Sequence, residues 1–258
     1  MSFDVAADAY GRFMGRYSEP LAAGFADLAG LVRGQRALDV GCGPGALTAH
    51  LVARLGPTAV SAVDPSPTFV AAARARFPEV DVRSGTAEYL PFPADSFDIA
   101  LAQLAVHFMT DPAAGLREMG RVTRPGGVVA ACVWDDAQGG GPLTTFWRAV
   151  RDVDPAARDE AHLAGAGEGD LARLCGVAGL TGIEPSTVTV TVPFADFADW
   201  WEPFTLGVGP AGAYVDQLDD AQREAVRRRC AELLPPTRIV IPARAWCVRA
   251  RPAADRRP

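Results

Sequence analysis

The stretch Ala37–Thr48, ALDVGCGPGALT, decides the fold. Residues Arg36–Val40 read as a short buried strand, and Ala46–Leu55 continue with helical spacing. Between them Gly41, Gly43 and Gly45 form a tight turn. Glycines there let the backbone turn sharply and let a ligand approach it with no Cβ in the way. A strand that ends in glycines before a helix is a nucleotide cradle. A second apolar run, AVSAVD, ends in Asp64. An acid at the tip of a second strand is placed to accept both hydroxyls of an adenosine ribose.

Outward from this stretch the chain alternates strand and helix. Ser18 before Pro20 reads as a cap for a helix over Leu21–Leu31. The second strand covers Ala59–Asp64, and Ser66 caps a helix that Pro67 opens and that runs to about Phe77. Val80–Arg83 is the third strand and Phe97–Gln103 the fourth, apolar enough to be covered on both faces. Asp111 and Pro112 start a helix ending near Val122, Arg124–Gly127 is turn chemistry, and Val128–Trp134 is the fifth strand. Such alternation predicts a parallel sheet with right-handed crossovers.

After Trp134 the pattern loosens. The run Gly139–Pro142 reads as a hinge, Leu143–Val150 and Leu171–Ala178 as helices, and Asp154–Gly169 as a small-residue loop. Pro185–Pro193 alternates Thr and Val as a strand with one polar face does, and Ile239–Ala250 is the last strand. Residues 194–238 between them are too long for a hairpin turn and hold an aromatic cluster and an amphipathic helix, Asp220–Leu234. Arg251–Pro258 reads as a frayed tail.

Composition narrows the function. With 258 residues, 49% of them hydrophobic, the chain can bury the core of one α/β domain. A net charge of −6 argues against binding nucleic acid by phosphate neutralisation. All 25 basic residues are Arg, which excludes a Schiff-base, P-loop or general-base lysine. The Cys at 42, 132, 175, 230 and 247 include no CxxC and read as reduced, mostly buried thiols of a cytoplasmic protein. MSFDVAADAY lacks the basic and apolar regions of a signal peptide, and no apolar run approaches the ~20 residues of a membrane span.

The successive motifs DVGCGPG from Asp39, VDPS from Val63, GTAEYLPFPADSFD from Gly85 and RPGG from Arg124 resemble those of class I S-adenosylmethionine-dependent methyltransferases. The likeness is closest to the small-molecule branch that includes the ubiquinone/menaquinone C-methyltransferases, and it is tight over Leu38–Trp134. It implies a Rossmann-like, seven-stranded, mostly parallel sheet in the order 3-2-1-4-5-7-6, last strand antiparallel, flanked by helices. One methyltransferase domain over residues 1–258 then divides into a helical lead-in at 1–34, a cofactor-binding core at 35–135 and a helical lid at 194–238 inserted before the last strand. The implied reaction is methyl transfer from S-adenosylmethionine to a small organic acceptor. The alternatives are an NAD(P)-dependent oxidoreductase, whose looser fingerprint Gly41, Gly43 and Ala46 satisfy, and a catalytically silent cofactor-binding module. Against the oxidoreductase stand Pro44, Asp39 two residues before the first glycine, and the lack of a second βαβ half.

Ligands of an open parallel sheet sit beyond the C-terminal ends of its strands. The expected cofactor contacts are Asp39, Gly41, Gly43, Gly45, Asp64 and Pro65, with Thr86 and Ala87 offering backbone to the adenine edge. Relatives often carry an acid where Thr86 stands, and Glu88 follows two residues on. Gln103 lies either beside the methionine part or as an amide that satisfies a loop. The resemblance also places Tyr10, Arg12, Arg16 or Tyr17 near the methionine end, and Tyr17 is equally readable as an aromatic anchor. Methyl transfer from a sulfonium needs alignment in a dry site more than acid–base help. His107, after the fourth strand, is the candidate base, titrating near pH ~6.5, or else a structural histidine. Trp134, Asp135 and Asp136 could wall the acceptor pocket, whereas Trp200, Trp201 and Phe204 are lid walls or plain core. No metal-ligand spacing is evident, AQLAV ends the fourth strand instead of an NPPY-type motif, and no Pro-Cys nucleophile occurs, so DNA-methylating chemistry is not expected.

Overall fold

The computed structural model describes residues 7–253. Seven strands form one sheet: β1 (Ala37–Val40), β2 (Val60–Asp64), β3 (Asp81–Ser84), β4 (Phe97–Gln103), β5 (Thr123–Trp134), β6 (Thr181–Pro193) and β7 (Val240–Arg251). Their order is β3-β2-β1-β4-β5-β7-β6, the order expected. The first five pair in parallel, and β7 runs antiparallel to both β5 and β6. Alternate residues of the central strands face opposite cores. Ile99, Leu101, Ala130 and Cys132 point to one, and Ala100, Ala102, Ala131 and Val133 to the other. Continuous apolar runs in β4 and β5 follow from burial on both faces.

Helices α1 (Ala7–Tyr10), α2 (Arg16–Ala29), α3 (Ala46–Leu55), α4 (Pro67–Arg76), α5 (Pro112–Val122), α6 (Thr144–Val153) and α7 (Asp170–Val177) accompany the strands. α2, α3, α4 and α6 supply the first core, and α5 and α7 the second. Ser66 and Asp111 cap α4 and α5 as expected, each accepting a backbone N–H with its side chain.

Three local expectations change. The first helix does not begin after Ser18, because α1, a π-helical turn (Gly11–Gly15) and α2 run on without a break and bury Ser18 inside α2. Pro20 sits within that helix and withholds only the bond to the Arg16 carbonyl. The Arg124–Gly127 turn is a bulge within β5: Thr123 pairs with Phe97 and Val128 with Ile99. There a Cβ on Gly127 would lie 2.6 Å from the Asp98 carbonyl oxygen. Arg251 ends β7, pairs with Thr181 and donates to the Gly126 carbonyl at 2.8 Å, so the tail starts later than expected. Residues 1–6, on which the signal-peptide reading falls, and tail residues 254–258 lie outside the described residues.

The insert before β7 folds as α8 (Phe197–Trp201), α9 (Gly209–Asp216) and α10 (Asp220–Leu233), the last entered through an Asp219/Gln222 capping box. Trp200 and Trp201 are 1% and 7% exposed and line neither of the cavities described below. They pack with Phe204, which stacks on Phe146 of α6 at 4.4 Å, and so extend the first core. Paired electrostatics tie the same segment to the lead-in. Arg16 forks onto Asp199 at 2.7 and 3.0 Å and lies 4.1 Å over the Phe194 ring. All five cysteines are free and buried, and no helix among the described residues is long and apolar enough to cross a membrane.

Trp200→Ala should therefore lower the free energy of unfolding by about 3–5 kcal/mol, as truncation of a buried aromatic does. Trp200→Phe should cost clearly less, since the buried indole N–H has no hydrogen-bond partner to lose among the described residues. Urea unfolding of the two variants measures both; a loss under about 1 kcal/mol for the alanine would contradict a core role.

Candidate functional site

A cavity of about 490 Å³ lies beyond the C-terminal ends of β1, β2 and β4. That is within the usual size of a small-molecule site. Gly41, Gly43, Asp64, Pro65, Thr86 and Ala87 line it on one side, and Gln103, Leu104 and Tyr10 on another.

The three loop glycines have three different reasons to be glycine. All have positive φ. A Cβ on Gly41 would meet the Ala105 methyl at 2.5 Å, and one on Gly45 would meet the Phe77 ring at 2.5 Å. Around Gly43 nothing lies within 4 Å of that position, which opens into the cavity. Gly45 serves the packing of α3 and does not line the cavity, contrary to its expected contact role.

Asp64 is 5% exposed, and its two oxygens accept the Gly43 and Ser66 N–H groups at 2.8 Å each. Burial pushes its carboxyl up, while the two backbone bonds pull it down. Asp39 does not face the cavity. It lies beneath the loop, 1% exposed, where Oδ2 accepts the Thr48 hydroxyl at 2.6 Å and Oδ1 has no partner among the described residues. Burial pushes it up to about 7, against the pull of Thr48. Gln103 donates from Nε2 to the Ser18 carbonyl at 2.9 Å and so ties β4 to α2; its Oε1 is buried without a partner among the described residues. Glu88 lines the same cavity and accepts the N–H groups of Thr110 and Asp111 at 2.7 and 3.2 Å, which closes the far rim.

Tyr17 does not reach the cavity. It is 3% exposed and packs edge-on against Trp134 and tilted on Phe194. Tyr10 takes the place instead, edge-on to Phe69. The wide i→i+5 turn between the two tyrosines breaks the i, i+7 register of a regular helix, so they do not share one face. Leu104 follows Gln103 at the tip of β4 and lines the cavity. With φ +58 it holds a conformation rare for a branched side chain, fixed by its N–H to the Cys132 carbonyl at 2.8 Å.

A smaller bay of about 40 Å³ adjoins the cavity and shares Tyr10, Leu104 and Phe108 with it. His107, Trp134, Asp136 and Glu160 line the bay. Trp134 is held by its indole N–H on the Met14 sulfur at 3.3 Å. The insert contributes Val208–Ala211 here, in place of Trp200 and Trp201. His107 stands on a 3₁₀ turn, its ring edge-on to Phe108 at 4.0 Å. Desolvation lowers its pKa to about 4, so the expected titration near 6.5 does not apply and the imidazole is neutral at pH 7. The acids shift the other way. Asp136 is pushed up to about 8 by burial and by Glu160, Asp135 and Asp159, and Glu160 up to about 7 by burial against its bond from Trp147. Glu160 is a site residue the sequence reading missed, set in a loop of small residues with no motif to flag it.

The supposed hinge at Gly139–Pro142 is the turn that accommodates the acids. Gly140 and Gly141 donate to the Asp135 carbonyl at 2.9 and 2.7 Å, and side chains on them would collide with the Asp135 and Asp136 carboxylates. Asp135 faces away from the bay, fully buried, and takes Arg244 on Oδ2 and Trp246 and the Gln138 N–H on Oδ1.

Residues 38–131 match the model of a methyltransferase domain. An uncharacterized methyltransferase of Mycobacterium bovis is 40% identical over 135 residues, 52% of each chain. A 2-methyl-6-phytyl-1,4-hydroquinone methyltransferase of Oryza sativa is 38% identical over 115 residues, 43% of this chain and 31% of that one. The chain thus spans about half or less of the length of these relatives. Among solved structures, the YcgJ protein of Bacillus subtilis superposes with a TM-score of 0.58 at 19% identity, covering 91% of this chain and 97% of that one, a likeness of fold.

Asp136 and Glu160 bind more protons folded than unfolded, since their ordinary values of 3.8 and 4.5 rise to about 8 and 7. Stability should therefore fall as pH rises from about 4 to about 8, with Asp39 acting in the same sense. Melting temperatures of the Asp136→Asn, Glu160→Gln double variant should fall less steeply over this range; an unchanged slope would contradict the shifts. By NMR the His107 ring should titrate with a midpoint near 4, well below that of an exposed histidine.

Proposed function

Because residues 38–131 belong to the methyltransferase domain family, we propose that the chain transfers a methyl group from S-adenosylmethionine to a small organic acceptor. The observation that carries this reading is the cavity at the tips of β1, β2 and β4, with Gly43 open to it and Asp64 beside it. The residues fit the cofactor. A side chain at Gly43 would fill the space a ligand needs, and the orphaned Gln103 Oε1 awaits a donor. Each Asp64 oxygen has one backbone donor and keeps a lone pair for a ribose hydroxyl.

When bound, S-adenosylmethionine supplies a methyl group on sulfur, already activated for in-line displacement. This chain's own residues then bind, orient and keep water out. Asp64 holds the ribose, Thr86 and Ala87 border the adenine, and Gly41 and Gln103 border the methionine part. Tyr10 and Leu104, shared between cavity and bay, stand where the two ligands meet. His107 is in its unprotonated form at pH 7, but its lowered pKa makes it a weak base, so its part is to orient the acceptor, and Trp134 walls the acceptor side. An oxidoreductase finds no such support: after β5 the sheet continues with antiparallel β7 and β6 in place of a second βαβ half.

Calorimetry with S-adenosylhomocysteine tests the reading. Asp64→Ala should weaken binding about tenfold or more, since hydrogen bonds to a charged group are worth roughly 1.5–3 kcal/mol. Gly43→Val should abolish binding while lowering stability by less than a core truncation, because its φ of +53 is strained for valine but its surroundings are open. Normal binding by either variant would overturn the assignment.

A further inference from the structure

Two carboxylates line the bay, and the two others close enough to act on Asp136 have cations. Asp135 pairs with Arg244 and Asp159 with Arg151. Asp136 and Glu160 line the bay with no ion pair among the described residues. Among those residues Asp136 also accepts no hydrogen bond, and Glu160, 7% exposed, uses only Oε2, on the Trp147 indole at 2.8 Å. The remaining walls include Tyr10, Phe13, Phe108 and Trp134. Ionising a pair of desolvated acids without a counter-charge is costly, an ammonium would remove that cost, and aromatic faces attract cations. His107 cannot supply the charge, being neutral there. An alcohol would give the pair no counter-charge, and an anionic acceptor would oppose ionisation of either acid.

We propose that Asp136 and Glu160 select acceptors that carry a basic amine, which enters the bay as an ammonium and supplies the counter-charge the pair lacks; this rests on the methyltransferase reading above. Carboxylates and aromatic rings then recognise the ammonium head, while the rest of the acceptor lies toward the larger cavity.

The test compares benzylamine, benzyl alcohol and benzoate by ligand-observed NMR, on protein saturated with S-adenosylhomocysteine. Benzylamine should bind at least tenfold more tightly than the other two. In the Asp136→Asn, Glu160→Gln double variant that preference should vanish, with S-adenosylhomocysteine affinity unchanged. Both changes keep side-chain shape, and the new amide carbonyl of Glu160→Gln still accepts from Trp147; single variants, each expected to lose part of the preference, serve if the double variant does not fold. Equal or tighter binding of the alcohol or the benzoate would overturn the proposal, as would absence of benzylamine binding to protein that holds S-adenosylhomocysteine. Failure to bind S-adenosylhomocysteine at all would instead overturn the underlying reading.

Discussion

Asp64 accepts the N–H of Gly43 on one oxygen and that of Ser66 on the other, and so joins the end of β2 to the glycine loop above β1 and to the cap of α4. The loop itself hangs from β2, since Gly41 and Cys42 both donate to the Val63 carbonyl. Parallel pairing brings these tips to one edge of the sheet, and the positive φ of each glycine lets the chain turn back there into α3. Without the carboxylate, the Gly43 N–H would lose its acceptor, and the loop would lose its fixed height above the sheet. The group that shapes the loop also lines the cavity.

The site departs from what stability alone would select. Asp39 keeps an orphaned oxygen under the loop, Gln103 keeps another at the cavity, and Leu104 holds a left-handed backbone. Asp136 and Glu160 sit desolvated beside His107, whose pKa is shifted the opposite way. Such costs gather at the tips of β1, β4 and β5, and the two cores beneath them are apolar and alternate cleanly. The insert offsets part of the cost through Trp200, Trp201 and Phe204, which bind α8 and α6 into one core and hold the lead-in through Arg16 and Asp199.

Much of this was legible in order along the chain. Ala46–Leu55 and Phe97–Gln103 form as read, because their periodicity and turn residues are local signals. Asp64, Pro65, Thr86 and Ala87 meet at one cavity, because residues at parallel strand tips must share an edge. The readings that changed concern residues whose direction is not local. Tyr10 and Tyr17 are both helical aromatics, and a π-helical turn decides which one faces the cavity. Trp200 and Trp201 are rings that suit a wall or a core alike, and only the position of α6 buries them.

By itself the sequence determined the alternation of strands and helices, the glycine loop and the acid at the tip of the second strand, since hydrophobic period, glycine placement and motif spacing depend on neighbours a few residues away. Only the tertiary structure decided what charges the site. It brought Glu160 to Asp136, gave Arg244 to Asp135 in place of the bay, and desolvated His107, which weakens it as a base. A proton's affinity depends on burial and on charges from distant parts of the chain, and no spacing along a sequence encodes that distance.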